Sequence, residues 1–339
     1  MIYIHVPFCR TFCLYCDFYS EIPPKDDGGD FREYASRVCA ELYARRDEIK
    51  RTSTVHTLYI GGGTPSVLPL SCLKSIVEAC REVDGGSWDE FTVELNPDDV
   101  TPTLLEGLGE LGVNRLSMGV QSLDDCALKW MRRRHDARGA ENAYRMSREA
   151  GFKNVSLDLI FGIDGFGISE SLEKIVSLGP EHISAYQLSI EEGSALGEMV
   201  KSGKYTEAPE EICRAQYEQI CSRLKEAGYV HYEISNWAKP GFQARHNSAY
   251  WDRSPYVGIG PGAHSLEIGE SQRRSWNSTD LCWWGKPREF ETLSRKEIEE
   301  ERLMLGLRRA EGIDGKKIEE KDWFVADSII SDLLVNSQL

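Results

Sequence analysis

The sequence predicts an α/β chain: a partial (β/α)6 barrel followed by a small C-terminal helical domain. Three observations lead there. Short, β-rich apolar runs recur with helix-length stretches between them, and a parallel neighbour can be reached only by a crossover of that length. Glycine follows the ends of the helix-length stretches at Gly112, Gly151, Gly179 and Gly228, as helix C-termini favour. From Ser294 onwards the charged, helix-favouring run SRKEIEEERLMLG replaces the alternation.

Taken in order, strands are expected at residues 2–6, 57–60, 92–95, 115–118, 155–160 and 183–188, and helices at 31–50, 70–82, 102–111, 137–150 and 170–178. Six such βα units make an open or partial barrel. A helix at 209–227 and a strand at 229–234 follow, and residues 235–284 are then rich in Gly, Pro, Asn and Trp with few helix signals. The expected division is a core barrel over 1–235, a linker over 236–290 and an abbreviated helical domain over 291–339, in which 322–334 reads as the vestige of a last helix. The units share a pattern without repeating a sequence, which excludes a solenoid.

At 339 residues, 41% hydrophobic and 28% charged, the chain can bury a sizeable core and is not disordered. Its 40 Lys+Arg against 55 Asp+Glu leave a formal charge of −15, which repels phosphate backbones and anionic headgroups and argues against nucleic acid and membrane surfaces as partners. No apolar run approaches the ~20 residues of a membrane span. The apolar start lacks the basic flank of a secretory signal, so the chain is expected in the cytoplasm, where thiols stay reduced. Ten cysteines are too few for a disulfide scaffold, and three of them crowd at positions 9, 13 and 16.

Those three form Cys9-x-x-x-Cys13-x-x-Cys16 directly after the first expected strand. Three thiolates this close can wrap one metal centre, and soft sulfur selects zinc or an iron–sulfur cluster. Zinc would need a fourth ligand, for which His5 stands nearby. A four-iron cluster would keep one iron open to a small molecule. Spacing alone leaves both readings open. Gly61-Gly62-Gly63-Thr64-Pro65 ends the second strand, where glycine lets a backbone approach a ligand closely. It is equally a tight turn, and it fits neither the Rossmann fingerprint nor the P-loop. Glu94 in VELNP, Gln121 in SMGVQS and Asp158 in SLDLIFG end successive strands on the same edge, which argues for one site at the barrel mouth. Arg133 adds a fixed charge suited to a carboxylate, although a solvated helix arginine is the commoner fate.

A second constellation is His246-Asn247-x-x-Tyr250-Trp251, with GPGAHS a little further on. Read alone, the tyrosine and tryptophan are packing residues and the histidine is a satisfied one. Histidine is nevertheless an axial haem ligand, and aromatic neighbours suit a flat porphyrin.

The ordered set CxxxCxxC, GGGTPS, ELNP, GVQS and DLIFG resembles the radical S-adenosylmethionine superfamily, in its coproporphyrinogen-oxidase-like branch, over residues 2–310. The resemblance implies a [4Fe-4S] cluster on Cys9, Cys13 and Cys16, with S-adenosylmethionine chelating the fourth iron, and it displaces the zinc reading. It also implies an S-adenosylmethionine pocket lined by Tyr3, Tyr15, Gly62, Gly63, Thr64, Glu94, Gln121, Arg133 and Asp158. HNxxYW, CDF after the third cysteine and GPGAHS resemble the HemW haem-chaperone family of that branch. This implies haem as cargo on His246, Asn247, Tyr250 and Trp251, apo-haemoproteins as acceptors, an electron donor such as a flavodoxin or ferredoxin, and a monomer or dimer. Local basic patches such as Arg132 to Arg134 would matter more to an acidic donor than the net charge.

The alternative is radical catalysis on a porphyrin(ogen) or another substrate, by decarboxylation, methyl transfer or cyclopropanation. Phe18 stands where the oxidase of the branch carries a further cysteine, which counts against decarboxylation. The loop GIDGFG departs from the proline-containing GLPGQ usual in the superfamily. The seven other cysteines, Cys39, Cys72, Cys80, Cys126, Cys213, Cys221 and Cys282, are expected to behave as small buried apolar residues.

Overall fold

The alternation of strand and helix is realised in a computed structural model that describes residues 1–23, 29–52, 54–281, 284 and 288–336. Cys282 lies outside the described residues. Strands β1 (Ile2–Val6), β2 (Thr57–Gly62), β3 (Glu90–Leu95), β4 (Arg115–Gln121), β5 (Val155–Phe161) and β6 (His182–Gln187) pair in parallel, each with the next. Between them run α1 (Gly29–Ala44), α2 (Arg46–Thr52), α3 (Leu70–Asp84), α4 (Pro102–Glu110), α5 (Asp125–Trp130), α6 (Ala137–Glu149) and α7 (Ser169–Leu178). Crossovers that all step the same way and share one hand place their helices on one face of the sheet. The concave face is left over.

All six expected strands are present, with β4 running on to Gln121. The helix expected at 31–50 is two, separated at Arg45, whose buried guanidinium holds Glu41, Glu48 and the Gly258 carbonyl. The GIDGFG loop makes a turn closed by the Phe166 N–H on the Ile163 carbonyl at 3.1 Å, with Gly165 supplying the positive φ of 81°.

Beyond β6 come α8 (Ala195–Lys201), α9 (Glu210–Glu226), β7 (Val230–Glu233), β8 (Asn236–Ala238), α10 (Arg245–Trp251) and β9 (Val257–Ile259). The sheet has nine strands in the order β7-β8-β6-β5-β4-β3-β2-β1-β9, with β8 antiparallel to β6 and β9 parallel to β1. Residues 236–290, read from sequence as a linker, therefore carry two sheet strands and a helix. They also carry most of a separate antiparallel sheet of β10 (His264–Ile268), β11 (Gln272–Trp276) and β12 (Glu289–Thr292), whose last strand runs past residue 290. The helical end comprises α11 (Arg295–Gly306), which starts with a Ser294/Glu297 capping box, a 3-10 turn over Glu320–Val325 and α12 (Ala326–Asn336).

Strand side chains alternate between faces, and here the alternation separates chemistry. Leu58, Ile60, Val93, Leu116, Met118, Leu157, Leu159 and Ile183 belong to the main apolar core. The intervening Thr92, Glu94, Arg115, Ser117, Ser156, Asp158, His182 and Ser184 give the concave face a polar lining. A concave face so lined must be satisfied by its own hydrogen bonds or by ligands.

Trp237 of β8 is fully buried and stacks on His231 with ring centroids 4.0 Å apart. Trp237→Ala is expected to cost about 3–5 kcal/mol in chemical denaturation. A loss below about 1 kcal/mol would show that the β7–β8 edge contributes little to the cooperative fold.

Candidate functional site

The cysteine segment is a loop closed at its base and seated on its own apolar cluster. The Cys9 N–H donates to the Glu21 carbonyl at 2.9 Å, and a bridge joins Phe8 to Glu21. At its middle, Leu14 is buried with Ala127, Leu128, Met131, Ile160 and Leu196. Its N–H donates to the Met131 carbonyl and its carbonyl accepts from the Leu196 N–H. Arg10 and Arg134 both reach Asp99, in the turn after β3, at 3.2 and 3.0 Å.

All three sulfurs of the motif face one cavity of about 560 Å³ at the carboxyl edge of the sheet. The Cys9 thiol lies 3.4 Å from the Thr64 hydroxyl. Gly63 permits that approach: a β-carbon there would stand 2.8 Å from the Phe8 carbonyl oxygen and 3.1 Å from the Cys9 sulfur. Burial raises the Cys9 thiol above its ordinary value and pushes Cys16 up to about 11, so both thiols stay protonated at neutral pH until a metal takes the sulfur. Among the described residues no three His, Cys, Asp or Glu side chains surround the position of a single ion. His5 is engaged at both ring nitrogens, by the Tyr3 hydroxyl at 3.0 Å and the Tyr19 carbonyl at 3.1 Å. The donor set fits a centre whose ligands attach to separate irons rather than a closed tetrahedron around zinc.

Of the residues expected at the cofactor pocket, Tyr15, Gly62, Gly63 and Thr64 line this cavity on the cysteine side. Glu94, Gln121, Arg133 and Asp158 line it from three successive strands and the segment after α5. Tyr3 does not; its hydroxyl is turned to His5. Glu94 accepts from the Tyr59 hydroxyl at 2.7 Å and from the Gly62 N–H at 3.0 Å, and desolvation still pushes it up to about 7. Burial likewise raises Asp158, against the hydrogen bonds of Ser184 and Ser117. Arg133 donates to the Cys13 sulfur at 3.2 Å and to the Gly119 carbonyl at 2.7 Å.

Gln121 sits at a bulge of β4 with φ of 67°, in the left-handed region that a non-glycine residue adopts at a cost. Its buried Oε1 and the buried Nε of Arg133 have no partner among the described residues. Backbone strain beside unsatisfied polar atoms facing one cavity fits a bound ligand.

A second cavity of about 480 Å³ abuts the first, and Tyr186, Gln187 and Asn247 line both. Its other walls include Tyr250 and Trp251 of α10, Tyr217 of α9, Arg308 after α11, and Trp323 and Phe324 of the C-terminal turn. The C-terminal part thus lines this second cavity, and none of its described residues belongs to the wall of the first. His246, expected with these residues, faces neither cavity. It is 1% exposed, with Nδ1 on the Thr57 hydroxyl at 2.8 Å and Nε2 on the Tyr250 hydroxyl at 3.1 Å, and burial lowers it to about 3. Glu90 fixes the start of α10 by accepting from the N–H groups of Arg245 and His246.

One cysteine expectation needs correcting. Cys126 is exposed, because the first turn of the short α5 faces outward and only Ala127 and Leu128 turn into the apolar cluster. Cys72, Cys80 and Cys213 are buried as expected, while Cys39 and Cys221 are half-buried. Sequence reasoning missed Arg115, Tyr186 and Gln187, which also line the first cavity. Arg115 carried a signal, as a cation heading an otherwise apolar strand. The two β6 residues carried none, since nothing in the sequence marks where that strand stops packing and starts facing a cavity.

Gln121→Gly is expected to raise stability by about 1 kcal/mol in thermal melts, because glycine relieves the left-handed strain. A fall would make the side chain a structural element instead. Glu233, on the wall of the second cavity, is pushed up to about 7 by burial, above its ordinary 4.5. Its folded-state value is the higher one, so its contribution is full below about 4.5 and is lost as pH rises through about 7. Glu233→Gln should therefore gain on the wild type as pH rises from 5 to 8, by on the order of 2 kcal/mol. Melting curves that stay parallel across that range would show that the group ionises without strain.

Residues 3–179 match the radical SAM superfamily. The chain is similar to the protein named heme chaperone HemW of Bacillus subtilis (strain 168), 35% identical over 335 residues, covering 94% of this chain and 86% of that one. The protein of the same name from Mycobacterium tuberculosis (strain ATCC 25618 / H37Rv) is 32% identical over 347 residues, covering 99% and 88%. Among solved structures, coproporphyrinogen III oxidase (HemN) from Escherichia coli matches with a TM-score of 0.75 at 20% identity, over 91% of this chain and 75% of that one, and this shows the shared fold. The superfamily implies a [4Fe-4S] cluster and S-adenosylmethionine. With motif order, barrel and extent of identity in agreement, the chain belongs to the radical SAM superfamily and, within it, to the HemW family.

Proposed function

We propose that this protein is a haem chaperone. In this reading Cys9, Cys13 and Cys16 hold a [4Fe-4S] cluster, and Tyr15, Gly62, Gly63, Thr64, Glu94, Gln121, Arg133 and Asp158 hold S-adenosylmethionine beside it. Haem occupies the second cavity and passes to an apo-haemoprotein. The observation that carries the reading is the cavity itself, walled by aromatic rings and by Arg308 and built around the HNxxYW helix. Apolar rings suit the macrocycle and a guanidinium suits its propionates. The relatives that cover most of the chain are named for haem, which adds support.

In this reading Asn247, Tyr250 and Trp251, which line the second cavity, touch haem, and His246 holds the Tyr250 hydroxyl in place. A reduced cluster of this class can supply one electron to the sulfonium of S-adenosylmethionine. The chain's own residues fix the glycine-rich strand end through Glu94 and place Arg133 against the Cys13 sulfur. No described helix is long and apolar enough to cross a membrane, which is compatible with a cytoplasmic chaperone handing haem to nearby acceptors.

The test is an anaerobic titration of the reconstituted protein with haem. A shifted Soret band is expected in the wild type, weakened about tenfold or more by Trp251→Ala, while Cys13→Ala bleaches the cluster absorbance and Cys80→Ala does not. Equal haem affinity in Trp251→Ala would remove haem from this cavity. Steady 5′-deoxyadenosine release with loss of a porphyrin substrate, under dithionite, would assign radical catalysis instead.

A further inference from the structure

Arg115 begins β4 and belongs to the polar, concave side of the sheet. It is 1% exposed and forms part of the wall of the cysteine-lined cavity. Its Nε and Nη1 are buried with no partner among the described residues, and no ion pair reaches it there. At the paired position on β3, the hydroxyl of Thr92 is also buried and unpartnered.

Burial works against the Arg115 guanidinium, yet Glu90 acting through space holds it above its ordinary value; what the neighbouring carboxylates leave unmet is the hydrogen bonding of Nε and Nη1. Both oxygens of Glu90 are taken, by the N–H groups of Arg245 at 2.8 Å and His246 at 3.0 Å. Both oxygens of Glu94 are taken by the Tyr59 hydroxyl and the Gly62 N–H. Asp158 is held by the hydroxyls of Ser117 and Ser184. Burial raises Asp158 and pushes Glu94 up to about 7, each against its own hydrogen bonds. A guanidinium taken out of water costs several kcal/mol unless an anion or a set of acceptors meets it. Orphaned donors of this kind mark a missing partner, and the planar fork of arginine matches a carboxylate in particular.

We propose that Arg115 is the receptor for a carboxylate at the floor of the cavity. The carboxylate is either a small free one or the propionate arm of a porphyrin seated in the second cavity. Asn247 lines both cavities, so an arm from the second passes that residue to reach the first. Only the porphyrin source rests on the chaperone reading.

The experiment melts the reconstituted protein with and without sodium propionate at matched ionic strength. The wild type is expected to gain about 2–4 °C at saturation, and Arg115→Gln to gain nothing. In propionate-free buffer Arg115→Gln should melt close to the wild type, because the Nε and Nη1 donors it removes have no hydrogen-bond partner to lose. A wild type indifferent to propionate, beside an Arg115→Gln variant that is destabilised in every buffer, would make Arg115 a structural residue and overturn the proposal. Soret titrations with haem and with its dimethyl ester separate the sources. A preference for haem of about tenfold or more, lost in Arg115→Gln, assigns the propionate arm; no preference alongside an intact propionate response assigns a free carboxylate. Haem binding with neither response sinks this proposal and leaves the chaperone reading standing, and a propionate response without haem binding does the reverse.

Discussion

Everything functional in this molecule depends on a topological constraint: consecutive parallel strands joined by crossovers of one hand, stepping one way across the sheet. The helices cover one face, and the apolar alternates of each strand pack under them. The other face receives no helix from the crossovers, so its polar alternates must be satisfied locally or by what binds there. The chain does both. Ser117 and Ser184 donate to Asp158, and Tyr59 and the Gly62 N–H donate to Glu94, while Gln121, Arg115 and Thr92 keep atoms without partners.

The second consequence concerns what fills the open side of the half barrel. α10 enters the concave face near the first residues of β2 and β3, tied to Thr57 and Glu90. It carries Asn247 to the boundary of two cavities. A ligand in either cavity therefore bears on the same three residues, Tyr186, Gln187 and Asn247. Occupancy of the two is coupled wherever those residues must move, and such coupling is reciprocal.

Much of the fold was legible because strand propensity, helix-length spacing and terminal glycines agree locally. β1 to β6 follow from short runs whose neighbours are helices, and Gly112, Gly151, Gly179 and Gly228 do end helices with positive φ. The cysteine loop and Gly62, Gly63, Thr64, Glu94, Gln121, Arg133 and Asp158 of the first cavity were legible as an ordered motif set, whereas Arg115, Tyr186 and Gln187 were not. What escaped was set by contacts distant in sequence. α10 lies among turn-forming residues and stands because Glu90, far away on β3, caps it. β8 and β9 are three residues each, too short to show a period, and exist because the edges of β6 and β1 need partners. His246 read from its residues alone as a satisfied histidine, and its two nitrogens do meet Thr57 and Tyr250; which partners satisfy it depended on strands far away in sequence.

The pairing of β1 with β9 bears on how the molecule is made. β1 lies between β2 and a strand that begins at Val257. On a ribosome the first strand is synthesised early and waits, with one edge unpaired, until most of the chain has emerged. The cysteine loop hangs from the end of that strand. Its thiols remain open to solvent-borne iron, sulfide and oxidants through that interval, so the order of synthesis leaves a time in which thiols of the loop are reachable before the last sheet strand is in place.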